Sequence, residues 1–185
     1  MSDRYAPDRS FPPYAFLPGT DPHPTRDPRG HSFGLDETPP PYKAPEQWAE
    51  NDDYLHGIDL YNHGYLWEAH EAWEGLWHIT KPDPDQALFL QGLIQCTAAC
   101  LKIAMEQPAG LERLSQLATE KLTQVARSQG PRYMGLDLLE FAAEMRAFAQ
   151  SHPSSVDGRP PLQLDLDTVT PPAAGRMPRP HVENP

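Results

Sequence analysis

Between Gln86 and Gln107 the chain carries Leu88, Phe89, Leu90, Leu93, Ile94, Cys96, Cys100, Leu101, Ile103 and Met105. At 3.6 residues per turn these positions reach nearly every side of a helix. A helix that is apolar all round has to be enclosed by other elements. This one requirement selects the class: all-α, with further helices packed around the segment as a single five-helix bundle. The neighbours are legible too. Trp48, Leu55, Ile58 and Tyr61 repeat at spacings of seven, three and three, which predicts a helix that Pro45 opens and Asn62, His63 and Gly64 stop. Leu111, Leu114, Leu117, Leu122 and Val125 form an amphipathic stripe that ends at Gly130-Pro131. Leu138, Leu139, Ala142, Met145 and Phe148 line the last helix, and Asp137 with Glu140 has the form of a capping box at its start.

The remaining helix lies in Tyr61–His78, YNHGYLWEAHEAWEGLWH, where three of the four tryptophans and three of the eight histidines fall within eighteen residues. Each residue advances about 100° around the axis. With His70 at zero, Leu66, Trp73 and Trp77 fall between roughly −60° and −20°, and Ala69 and Leu76 widen that apolar face to about −120°. Glu74, Trp67, His78 and Glu71 follow at about +40°, +60°, +80° and +100°. Glu68 lands near +160°, which assigns it to the water side.

His70, Glu74, His78 and Glu71 therefore form a polar arc beside an aromatic face. His70/Glu74 and Glu74/His78 are i,i+4 pairs, close enough to share a cation. The order HExxE departs by one residue from HExxH, in which two histidines hold zinc and the glutamate is a general base. A second carboxylate in place of imidazole hardens the ligand set, towards iron, manganese or magnesium as well as zinc. In this reading His70 and Glu74 are ligands, His78 is an accessory ligand and Glu71 is the base. Trp67, Trp73, Trp77 and Asn62 line the surrounding pocket. Gln91, Gln95 and Lys102 lie within about 40° of one another on the apolar helix. The two amides are expected to donate to the ligands, and Lys102 to stabilise developing negative charge or else to extend to water. Two other readings fit the same residues. A His-Glu pair beside tryptophans also serves to fix helix packing in a non-enzymatic interaction protein. A tryptophan-lined cleft also binds small molecules without catalysis.

Asn62, Gly64, Glu68, Ala69, His70, Glu71, Trp73, Glu74 and Trp77 together resemble the signature of the small helical proteins called domain of unknown function family 309. Leu90 to Gln95, LQGLIQ, and Tyr133-x-Gly135-Leu136-Asp137 are similar to its other two blocks, in the same order. The resemblance spans about Ala44 to Gln150. It implies an all-helical fold and a metal-dependent hydrolase label that rests on the His-Glu motif. In that pattern His often stands where this chain has Lys102.

The chain divides into an arm (1–43), a helical domain (44–150) and a tail (151–185). Met1–Lys43 holds ten of the 23 prolines, yet also Tyr5, Phe11, Tyr14, Phe16, Phe33 and Tyr42. Disordered segments are poor in aromatics. The arm is therefore expected to dock its rings on the domain or on a sister subunit, giving a homo-oligomer in the second case. Its His23 and His31 read as exposed loop residues, with reach to the His-Glu site as the alternative. In the tail, Leu162, Leu164 and Leu166 alternate with polar residues as one short extended segment.

Lys and Arg number 7 against 16 Asp and Glu in the helical domain, which carries most of the net charge of −11. An acidic domain without a basic run argues against nucleic acid as a partner. No membrane-spanning run and no signal peptide are expected, so residence in the cytoplasm is the default. Cys96 and Cys100, four apart on an apolar helix, are expected to be reduced core residues.

Overall fold

The computed structural model describes residues 4–35, 38–80, 82–107 and 109–168, and their fold is a helical bundle with one short hairpin. Five α-helices follow in order: α1 (Asp52–Asn62), α2 (Leu66–Thr80), α3 (Pro84–Ala104), α4 (Ala109–Gln129) and α5 (Leu138–Gln150). Strands β1 (Arg132–Tyr133) and β2 (Leu136–Asp137) pair antiparallel between α4 and α5.

Each boundary has a local cause. Pro45–Glu50 is a 3₁₀ turn rather than the first turn of α1, because Asn51 breaks the helix. The Asn51 side chain accepts the Tyr54 N–H and caps α1 anew. At the other end of α1, Gly64 takes φ +87°, the Tyr65 N–H donates to the Leu60 carbonyl and the Gly64 N–H to Tyr61. These are the two bonds of a Schellman stop. Helix α3 starts earlier than its apolar pattern does. Pro84 stands at its first position, where a missing N–H costs nothing, and Asp83 accepts the Gln86 N–H. Asp137 caps α5 through the Glu140 N–H. The hairpin turns on Met134 (φ +48°) and Gly135 (φ +80°). A Cβ on Gly135 would lie 2.6 Å from the Trp48 ring, so only glycine lets the turn close over that indole.

Packing follows chain order. Helix α3 sits between α2 and α4, α1 packs on α2, and α5 on α4. Phe89, Leu93, Ala99 and Cys100 of α3 are wholly buried, as are Ile58, Tyr61, Trp73, Leu122 and Met145 from the helices around it. Full burial of one such Leu or Phe contributes about 1.5–3 kcal/mol. Pro84–Ala104 is also long and apolar enough, by length and composition, to cross a membrane, contrary to the expectation that no such run exists. Here it is the core helix of the bundle.

Both arms lie on the bundle within the described residues. The Asp59 carboxylate, almost fully buried on α1, accepts the N–H groups of Tyr5 and Ala6 at 2.9 Å each and pairs with Arg4. Phe11 stacks on Tyr65 and packs against His63. Phe33 and Tyr42 remain exposed, so these two rings of the arm do not dock. In the tail, Asn62 exchanges two hydrogen bonds with the Leu162 backbone, and Arg159 donates to the Tyr61 and Asn62 carbonyls. Leu162 and Leu164 are buried and Leu164 bridges Leu136. Leu166 instead turns into a 3₁₀ segment, Leu166–Thr168, and faces water.

Candidate functional site

Helix α2 presents its polar arc along one flank. A ring nitrogen of His70 and carboxylate oxygens of Glu71 and Glu74 lie within 4.8 Å of one another. His70 Nε2 stands 3.8 Å from Glu74 Oε2. On the other side of the imidazole, Thr97 Oγ1 lies 3.5 Å from Nδ1. Thr97 donates its own proton to the Ile94 carbonyl, at 2.6 Å. Its oxygen can then only accept from the ring, which places the ring proton on Nδ1 and leaves a lone pair on Nε2 facing Glu74. Burial lowers the His70 pKa, against the opposing pull of Glu74. The ring is thereby held neutral, the form that can ligate a cation. Trp67 stacks on it with 13° between planes and restricts its rotation.

The other residues singled out in the sequence go elsewhere. His78 is exposed and leans on Trp77, outside the three-residue cluster. Lys102 donates to Gln107 at the end of α3, far down the helix from the cluster, and does not serve as its cation. Gln91 and Gln95 make no hydrogen bond to His70 or Glu74 among the described residues, and Gln95 Oε1 is buried without a partner. The stripe of α3 that meets His70 carries Ile94 and Thr97, about 60° to 160° around the helix from the glutamines. Trp73 is core: its Nε1 donates to the Tyr54 carbonyl. Asn62 anchors the tail. Trp67 is the pocket residue that stacks on His70.

The largest correction concerns Glu68. It does not face water: its side chain is 6 % exposed. The arm runs over it, with the Phe16 N–H donating to Oε1 at 2.9 Å and His31 Nε2 at 3.1 Å from the same oxygen. His31, read as an exposed loop residue, is itself 7 % exposed at the side chain. His23 packs edge-on against Trp67, and Phe16 does the same. Periodicity within α2 carries no information about this cover, because the arm that supplies it lies some forty residues upstream.

Between arm and helix run two adjoining cavities. One, of about 320 Å³, is bordered by Trp67, Glu68, His56 and Leu60 on the bundle and by His23, His31 and Ser32 on the arm. The other, of about 680 Å³, follows α2 past Glu71, Glu74 and His78 under Pro39 and Pro40. Arg9, Ser32, Glu71 and Ala72 border both.

Residues 54–114 match the family described as Domain of unknown function (DUF309). No curated protein and no solved structure matches the chain. The matched segment takes in most of α1, all of α2 and α3 and the whole His70/Glu71/Glu74 cluster, and it is over this segment that the chain is identified with DUF309.

Proposed function

We propose that the His70/Glu71/Glu74 cluster binds a divalent transition-metal ion, as the basis of a hydrolytic activity. One observation carries the reading: three donors within 4.8 Å on a solvent-facing flank, one of them an imidazole kept neutral by burial and met on its other side by Thr97 of α3. One nitrogen and two carboxylates suit zinc, iron or manganese. Such an ion supplies Lewis acidity and a bound water of lowered pKa. This chain's own contribution is the arrangement around it. His70 and Glu74 hold the site, Glu71 stands at its exposed edge, and Trp67 excludes water from one side of the imidazole.

Elemental analysis of purified untagged protein, or titration of the apo form with zinc, iron and manganese, tests the reading. Binding near one ion per chain is expected, lost in His70→Ala and Glu74→Ala and kept in Glu144→Ala on α5. No binding of any of the three ions would refute it. Glu68→Ala is unsuitable as a neutral control, because Glu68 is a buried acceptor for the arm.

A further inference from the structure

A second constellation lies where the arm crosses α2. Ser32 Oγ is 2.8 Å from His31 Nδ1, and His31 Nε2 is 3.1 Å from Glu68 Oε1. Hydroxyl, imidazole and carboxylate thus form one hydrogen-bonded line. We propose that Ser32, His31 and Glu68 are a nucleophile, its general base and the residue that positions the base, forming an acyl-transfer site for small uncharged esters. This site is distinct from the His70/Glu71/Glu74 cluster and does not depend on it.

The protonation states follow from the partners. A carboxylate accepts only, so its contact with Nε2 places the ring proton there. Nδ1 then carries the lone pair and accepts the Ser32 hydroxyl proton, as a general base must. The role is recognised by geometry and not by chain order; here the two ring nitrogens exchange their usual partners, with the serine on Nδ1 and the carboxylate on Nε2. A docking role for His31 needs only the bond to Glu68. It does not need a hydroxyl on the opposite nitrogen.

The surroundings fix each member. His31 is wedged edge-on against Tyr14, whose hydroxyl donates to the Pro22 carbonyl and lies 3.4 Å from the His31 N–H. The Ser32 N–H donates to the Pro24 carbonyl. The crossing of this loop is tight: a Cβ on Gly30 would lie 2.2 Å from the His23 and Pro24 carbonyl oxygens. Glu68 Oε1 is held by the Phe16 N–H, while its buried Oε2 has no hydrogen-bond partner.

Ser32 borders both cavities, which gives the hydroxyl access to substrate. Leu35, Leu60 and Trp67 make the smaller one largely apolar, suited to an acyl chain. Glu68 and Glu71 on its wall disfavour anionic substrates. Arg9 borders both cavities; its Nη1 pairs with Asp52 and Asp53, and its remaining N–H groups are the donors for a developing oxyanion. In the reaction Ser32 Oγ bonds to the ester carbonyl carbon while its proton passes to His31 Nδ1. The C–O bond to the leaving alcohol then breaks, and the alcohol takes that proton. Water, deprotonated by the same nitrogen, releases the acid and restores the serine.

The test uses the full chain with excess chelator, so that metal-dependent hydrolysis is silent. A fluorophosphonate probe is expected to form one adduct, located by peptide mass spectrometry on Ser32, and p-nitrophenyl acetate to be hydrolysed. Both rates should fall by about 100-fold or more in Ser32→Ala and His31→Gln, and stay unchanged in Ser10→Ala, another arm serine. Glu68→Gln keeps an acceptor for Phe16 and should leave the arm protected from protease. Its labelling rate should nonetheless fall at least about tenfold, which a purely structural Glu68 would not produce. Absence of an adduct on Ser32, or hydrolysis that survives Ser32→Ala, would overturn the proposal. Neither result bears on metal binding at His70, and loss of metal binding would leave the Ser32 adduct intact.

Discussion

Removing the Asp59 carboxylate should release the N-terminal arm while leaving the bundle folded. Asp59 is 1 % exposed, and each of its oxygens accepts one backbone N–H from the arm, Tyr5 and Ala6, at 2.9 Å. Arg4 Nε lies 3.4 Å from the same group. A hydrogen bond to a charged acceptor is worth about 1.5–3 kcal/mol, so the two together hold the arm by about 3–6 kcal/mol. Asp59→Ala forfeits that and strands two N–H groups and a guanidinium. The loss seen in global unfolding is capped, however, because the arm can peel off and rehydrate those groups before the helices open. The sensitive assay is therefore limited proteolysis of residues 4–35 under native conditions, where cleavage tracks the population of the undocked arm. Even the lower bound, about 3 kcal/mol, is about a 100-fold increase in that population. Asp59→Asn keeps one acceptor and should fall between. Cleavage that changes less than about threefold in Asp59→Ala would show that the arm is held by its rings and that the buried carboxylate contributes little.

Gly57→Ala should destabilise the bundle by about 1–3 kcal/mol in urea unfolding, because a Cβ there would lie 2.2 Å from Trp73 Nε1 in a fully buried contact. His56 titrates low, chiefly because burial disfavours its charged form and then because Arg9 and Arg4 repel it, with Asp59 and Asp52 opposing. The folded state thus binds its proton less readily than the unfolded chain does. The stability this confers is complete above the ordinary value of 6.5 and lost as pH falls below it towards the folded value. Urea midpoints measured from pH 7.5 to 5 should fall, and His56→Gln should flatten that slope relative to the parent chain, in which His70 adds a loss of the same sign. Burial pushes both thiols up, Cys100 to about 11 and Cys96 well above its usual range. Native protein should accordingly resist a thiol reagent that titrates both cysteines in guanidinium, and rapid native reaction would contradict their burial.

The helices were legible from sequence because their determinants are local. The all-round apolar run of α3 demands enclosure wherever it lies, and the stripes of α1, α4 and α5 name the faces that do the enclosing. Caps at Asp137 and the stop at Gly64 act within a few residues of themselves, so they too can be read along the chain. The i,i+4 spacing of His70 and Glu74 brings those groups together on any helix. What a single helix cannot specify is its neighbours. The angle between residues of α3 is set by its own geometry, but which stripe meets His70 depends on how α3 rolls against α2. That roll presents Ile94 and Thr97, not Gln91 and Gln95. Lys102 was equally free to turn inward or outward until the end of α3 offered it Gln107. Glu68 shows the same limit most clearly. Its outward angle on α2 is as the wheel places it, but outward is not toward water when another segment lies there. The arm reaches it through two contacts of sequence separation 52 and 37, the Phe16 N–H and the His31 ring, and contacts that distant leave no periodic trace in either segment.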